Sequence, residues 1–253
     1  MSSPNGSQRA TVSRSMSPPQ PMTSDVIQRA LLDTKIVENE LLMSVASIRL
    51  SIGGCLAVCL LDNRESSYDI DCVFDLNLAV VEDYADEFRA TIAKVALNGG
   101  FGEQWLNRQI EIFISRSRRH DLFLESVDQG IIVYSGLNLT VFASRLDWAP
   151  ERKMRRVSHA HDRRGNKIVD ISDAAALIRY LVRQANKLLS FEYVRGLNYS
   201  DFDIEPADGA LREVAKYYAE TYGAVGLADM VWDPEPERNR YNYQNLDMKW
   251  VWY

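Results

Sequence analysis

The stretch "RLSIGGCLAVCLLDNRESSYDIDCVFD", residues 49–75, decides how this chain folds. Ile48, Leu50 and Ile52 alternate into Gly53-Gly54, which predicts a strand that ends in a turn. Cys55 to about Leu61 predicts a short helix, and Asn63, Arg64, Glu65 and Ser66 a polar loop. In the strand that follows, Tyr68, Ile70, Cys72 and Phe74 fall on one face and Asp69, Asp71, Val73 and Asp75 on the other. The pleat is expected to bury the first set and present the second.

Residues i and i+2 of a strand lie roughly 6.5 Å apart on one side, so Asp69 and Asp71 can share a divalent metal. A bare pair of this kind reads first as the solvated face of an edge strand. The glycines add weight to the metal reading. A Gly-Gly turn before a helix exposes backbone N–H groups that can cradle phosphate, with no side chain to hold a ligand off.

Outward from this stretch, helical periodicity fills 25–45, with Asp25 and Gln28 spaced as a capping box. A helix is expected from about Asp83 to Leu97, then a strand over Gln109 to Ser115 that carries Glu111 between Ile110 and Ile112. A short helix near 120–128 and the strands "IIVY" and "LTVFA" follow, and from Trp148 the pattern turns helical: 148–158, 171–189, 208–222 and 223–231. Mixed strands and helices first and helices last predict an α/β (α+β) fold, a mixed sheet flanked by helices with a helical C-terminal part. The expected organisation is a disordered Ser/Pro-rich tail at 1–24, an α/β core at 25–145, a helical part at 146–231 and an aromatic segment at 232–253.

The 253 residues are 46% hydrophobic and 25% charged, enough to bury a core. A net charge of -6 speaks against general binding to nucleic acid or anionic membranes, so any phosphate-binding surface must be local. No stretch is long and apolar enough to span a bilayer, and no secretory leader is legible, so the expected compartment is the cytoplasm or nucleus. Three cysteines in apolar surroundings are expected as free core thiols. Between 145 and 167, eight Lys or Arg stand against three Asp or Glu, and triphosphate or nucleic-acid phosphate is the natural partner of such a run, a solvated basic helix its plainer meaning. Asp170 and Asp173, three apart, read as acids in the first turn of a helix, where they balance its dipole. The crowded aromatics of "VWDPEPERNRYNYQNLDMKWVWY" are expected either to dock back on the domain or to meet a protein partner.

"IGG" followed by "SYDID" resembles the first motif of the nucleotidyltransferase-fold superfamily, in particular its minimal, AbiEii-like group. That group carries next an acid-bearing strand, then a lysine-arginine helix, then D-x-x-D. Here "IEIFI" supplies Glu111, "ERKMRR" supplies Lys153 and Arg156, and "IVDISDAAALI" supplies Asp170 and Asp173. The resemblance implies an enzyme that moves NMP from a nucleoside triphosphate to an acceptor hydroxyl of RNA, a protein or a small molecule. It implies Asp69, Asp71 and Glu111 as catalytic ligands of Mg²⁺ or Mn²⁺. Gly53, Gly54, Arg64, Ser67, Lys153, Arg156, Asp170 and Asp173 are then the expected substrate-binding set. The alternative is a retained fold without catalysis, used as a binding or scaffold module.

Overall fold

The computed structural model describes residues 20–33, 48–75, 82–136, 139–159, 164–198, 204–234 and 240–253. The expected tail up to residue 19 and the first helix beyond residue 33 lie outside them.

The fold is mixed α/β, built on a five-stranded sheet. Its strands are β1 (Ile48–Ile52), β2 (Ile70–Phe74), β3 (Leu106–Asn107), β4 (Ile132–Ser135) and β5 (Leu139–Ala143), in the order β3-β2-β1-β5-β4. The first strand pairs antiparallel with β2 and parallel with β5. Its alternation works as the sequence predicts: Ile48, Leu50 and Ile52 are buried with Ile70, Cys72, Val141 and Ala143 in one large core. Packed on that core are α1 (Ser24–Asp33), α2 (Leu56–Cys59), α3 (Glu82–Gly99) and the helices of the C-terminal half.

The opposite face of the sheet is not the solvated one that Asp69, Asp71, Val73 and Asp75 suggested. Val73 is buried with Ile110, Ile114, Leu122, Phe123 and Trp148, beneath α4 (Arg118–Asp128). Asp75 is buried as well and receives Arg49 Nε at 3.1 Å. The face is closed from Val73 onward and open only at Asp71 and Asp69. Tyr68, assigned to the buried face, is instead 65% exposed, because the strand begins two residues after it.

The strand expected over 109–115 is a 3₁₀ turn at Gln109–Phe113. Parallel pairing of β3 with β2 ends after Leu106 and Asn107, where the Asn107 amide accepts from Gln109 N–H at 2.8 Å and turns the chain. Turning separates the isoleucines: Ile110 and Ile114 are buried while Ile112 stands 68% exposed. A period of two in sequence becomes a period near four in space.

The C-terminal helices are α5 (Trp148–His159), α6 (Arg164–Ala185), α7 (Phe191–Arg195) and α8 (Asp208–Tyr222). The sixth helix starts seven residues before the expected 171, so Asp170 and Asp173 lie in its second and third turns and cap nothing. Its apolar stripe through Ile171, Ala174, Ala175 and Ile178 is buried, and that packing carries the helix back through Gly165. The helix expected at 223–231 does not form. Gly223 closes α8 in the left-handed conformation, and the chain continues as β7 (Leu227–Ala228), paired with β6 (Leu189–Ser190). Finally β8 (Val231–Asp233), β9 (Arg240–Gln244) and β10 (Trp250–Trp252) make an antiparallel sheet. Its aromatics neither dock fully nor stand free: Trp232 and Tyr241 pair edge to face at 4.7 Å, and Trp250 remains 58% exposed. Among the described residues no helix is long and apolar enough to cross a membrane, and the three cysteines are free thiols.

Candidate functional site

Three segments distant in sequence meet at the open end of β2: the Gly-Gly turn after β1, the 63–71 loop and strand, and the facing sides of α5 and α6. Gly53 N–H donates to Asp71 O at 3.0 Å, which holds the turn against the strand. Here glycine is needed for approach. A Cβ at Gly54 would stand 3.1 Å from Asp71 Oδ2, and one at Gly53 only 2.7 Å from the Ile110 side chain. Arg64 ties this turn to the helices: its Nη2 donates to Gly54 O at 3.2 Å and its Nε lies 3.2 Å from Asp173 Oδ1. Ser67 serves the backbone, its hydroxyl donating to Asp69 O at 2.9 Å while its main chain bridges to Met22.

Asp173 is fully buried and saturated with donors: Lys153 Nζ at 2.6 Å, Asn63 Nδ2 at 3.0 Å and Arg64. Asp170 accepts from Arg156 Nε at 3.1 Å and lies 3.3 Å from Lys153 Nζ. Burial pushes the Lys153 ammonium down in pKa, and Arg156 adds to this, while Asp173 and Asp170 pull it back. These four residues bolt α5 to α6. Arg156 keeps nearly half its side chain exposed (47%), so it alone of the bolt can also reach a ligand.

Asp69 and Asp71 differ in kind. Among the described residues, no hydrogen bond or ion pair engages either carboxylate. Asp71 is half-buried, and its pKa is raised, first by burial and then by the charge of Asp69. Arg152, Arg156 and Lys153 oppose that rise through their positive charges, so the aspartate faces the basic side of α5.

Arg152 is the residue that the sequence reading passed over. Its guanidinium lies over the rings of Phe113 (5.2 Å) and Trp148 (5.0 Å) and has no hydrogen bond or ion pair among the described residues. Burial, followed by the charge of Arg156, lowers its pKa to about 10, opposed by Asp71 and Glu151. Its position three residues before Arg155 and four before Arg156 did not distinguish it, since each cation of "ERKMRR" looks alike in sequence. Asn63, the second donor to Asp173, was likewise read only as part of a polar loop.

Glu111 stands apart from the pair. Carried on the 3₁₀ turn, its carboxylate is held at both oxygens by Arg108, at 2.7 Å each, with Arg119 at 3.6 Å. Among the described residues no group of three or more His, Cys, Asp or Glu side chains is placed to hold a metal, so the expected trio of Asp69, Asp71 and Glu111 is not assembled. Two carboxylates remain. Partly desolvated, unmatched and mutually repelling, they fit a divalent cation of the Mg²⁺ type, which is commonly bound by one or two carboxylates with substrate phosphates completing its shell.

No family model matches this chain, and no curated protein or solved structure does.

Proposed function

We propose that the chain is a metal-dependent nucleotidyltransferase that moves NMP from a nucleoside triphosphate to an acceptor hydroxyl. The observation that carries this reading is that the Gly-Gly turn lies against Asp71, that the Asp69 and Asp71 carboxylates have no partner among the described residues, and that Asp71 feels the charge of Arg152, itself without a hydrogen bond or ion pair among the described residues. Asp69 and Asp71 would hold Mg²⁺ or Mn²⁺, which when bound supplies charge neutralisation at the attacking and leaving oxygens. Gly53 and Gly54 leave room for the triphosphate beside Asp71. Arg152, with five N–H donors and no hydrogen bond or ion pair among the described residues, would bind a phosphate through two of them. Arg156 would assist from its exposed edge. Lys153, Asp170 and Asp173 keep these groups in place by fixing α5 against α6, and Arg64 extends the brace to the turn.

Glu111 supports a second reading. With the third acid neutralised by Arg108, the site is short of the trio the resemblance implies, which favours a nucleotide-binding module without transfer. One experiment separates the two. The full-length protein is incubated with Mg²⁺, each NTP labelled at the α-phosphate and candidate acceptors, in parallel with Asp69→Asn/Asp71→Asn. Label transfer that needs both aspartates supports the enzyme; Mg²⁺-dependent nucleotide binding without transfer supports the module; neither binding nor transfer with any NTP sinks both.

A further inference from the structure

The 3₁₀ turn at Gln109–Phe113 buries Ile110 and Glu111 and leaves its last two residues, Ile112 and Phe113, exposed. Exposed apolar side chains are ordinary when scattered, but these two stand together at the edge of a charged site.

The turn is fixed against that site from two directions. The Ile110 side chain lies 2.7 Å from where a Cβ on Gly53 would stand, and the Arg152 guanidinium lies 5.2 Å from the centre of the Phe113 ring. Glu111 holds the turn in its conformation: its buried carboxylate accepts from Arg108 at both oxygens, at 2.7 Å each. The acid expected on the metal instead anchors the wall beside it.

Phe113 is therefore a placed ring, 51% exposed, with a guanidinium over it that has no hydrogen bond or ion pair among the described residues. The same guanidinium lies close enough to Asp71 for its charge to act there. A phosphate drawn to Arg152 brings whatever it carries within reach of the ring. Nucleobases stack on aromatic side chains set beside cations, and do so with little regard to sequence because every base has a π-face. Neither Ile112 nor Phe113 has a hydrogen-bonding atom in its side chain, so this end of the turn can feel the face of a base and not its edge.

We infer that Phe113 is the base platform of the nucleotide site: the nucleobase of the bound nucleoside triphosphate stacks on its exposed ring, so that all four bases are accepted and the larger purines bind more tightly. The inference rests on the proposed function, since the triphosphate must first be held beside Asp71 and Arg152.

Tripolyphosphate, which has the phosphates and no base, separates the two. It and the four NTPs, each with Mg²⁺, are titrated by calorimetry into the full-length parent, Phe113→Ala and Phe113→Tyr. The parent is expected to bind all five. Phe113→Ala should bind ATP and GTP about ten- to a hundredfold more weakly, CTP and UTP with a smaller loss, and tripolyphosphate as the parent does. Phe113→Tyr, which keeps the ring, should bind the NTPs as the parent does. Equal NTP binding by parent and Phe113→Ala, with tripolyphosphate bound by both, would overturn the platform and leave the triphosphate site standing. Loss of tripolyphosphate in Phe113→Ala would make the ring a support for Arg152, and binding of a single NTP would mean that base edges are read elsewhere; either overturns the inference. A parent that binds neither tripolyphosphate nor any NTP would remove the proposed function itself, and the platform with it.

Discussion

Two aspartate pairs, Asp69 with Asp71 and Asp170 with Asp173, feel the same Lys153 and are treated oppositely by the fold. The helical pair is saturated: Lys153, Arg156, Asn63 and Arg64 reach it from two segments. The carboxylates of the strand pair receive no hydrogen bond or ion pair among the described residues, although Asp71 is partly desolvated and repelled by Asp69. A buried charge with full partners is part of the frame, and removing one member strands the others. An unmatched pair at the mouth of a site contributes nothing to the frame and is free for a ligand. The difference lies in the partners, since in sequence both are merely acids two or three residues apart.

The strongest way to break this comparison is to remove Asp173. Asp173→Ala leaves Lys153 enclosed with Asp170 at 3.3 Å and the like charge of Arg156, and should cost about 3–5 kcal/mol in urea unfolding. A loss below about 1 kcal/mol would show that the helical pair is no more structural than the strand pair. Next in size is the ligand effect. A nucleoside triphosphate with Mg²⁺ at a hundred times its Kd should stabilise the parent by about 2.7 kcal/mol, and Asp69→Asn/Asp71→Asn should abolish the gain. Retention of that gain in the double variant would remove the strand pair from the site.

Arg152 sharpens the contrast on the cationic side. Lys153 is spent on Asp173, whereas Arg152 lies over two ring faces and has no hydrogen bond or ion pair among the described residues. Arg152→Met keeps much of the stem that packs on Trp148 and Phe113, so unfolding free energy should move little. Nucleotide affinity should fall by about 1.5–3 kcal/mol, the range for a hydrogen bond to a charged group. Lys153→Met should show the reverse ranking, with stability falling first because Asp173 loses its ammonium. Parallel titrations and unfolding curves on both variants decide between these assignments.

Much of this was legible in the sequence, and what was missed has physical causes. Strands β1, β2 and β5 read correctly because each buries one face, and β4 was legible from its β-branched run although none of its residues is buried. That Gly54, Asp71, Lys153 and Asp173 belong to one site was implied by the resemblance; the structure sets Gly54 against Asp71 and Lys153 against Asp173, with Arg64 between the two groups. Glu111 was misread because Ile110, Ile112 and Ile114 alternate as in a strand, whereas the side-chain turn at Asn107 and the i, i+3 pairing of Arg108 with Glu111 wind the chain instead. Asp170 and Asp173 were placed at a helix start by the rule for acidic first turns, but tertiary packing extended α6 upstream. Which cation of "ERKMRR" stays without an ion pair among the described residues depends on Asp170 and Asp173 of α6, which take Lys153 and Arg156, and on Glu151, which takes Arg155.

The smallest effect is also the most selective. Asp71 has a folded pKa raised above its ordinary value of 3.8, with burial the larger cause and Asp69 the second. Below that ordinary value the carboxyl is protonated in both folded and unfolded chains, and its favourable contribution is fully present. As pH rises the unfolded chain ionises first, and the contribution is lost as pH passes through the raised folded value. At neutral pH the ligand-free parent therefore carries a charge that its fold disfavours. Asp71→Asn removes this charge and should stabilise the ligand-free protein by something under about 1 kcal/mol at pH 7, the scale of a partly exposed charge interaction. The gain should shrink as the pH is lowered toward 4. Urea midpoints for parent and variant across that range test the sign directly. A variant less stable than the parent at pH 7 would mean that Asp71 is already satisfied within the chain, and the two aspartate pairs would then be alike.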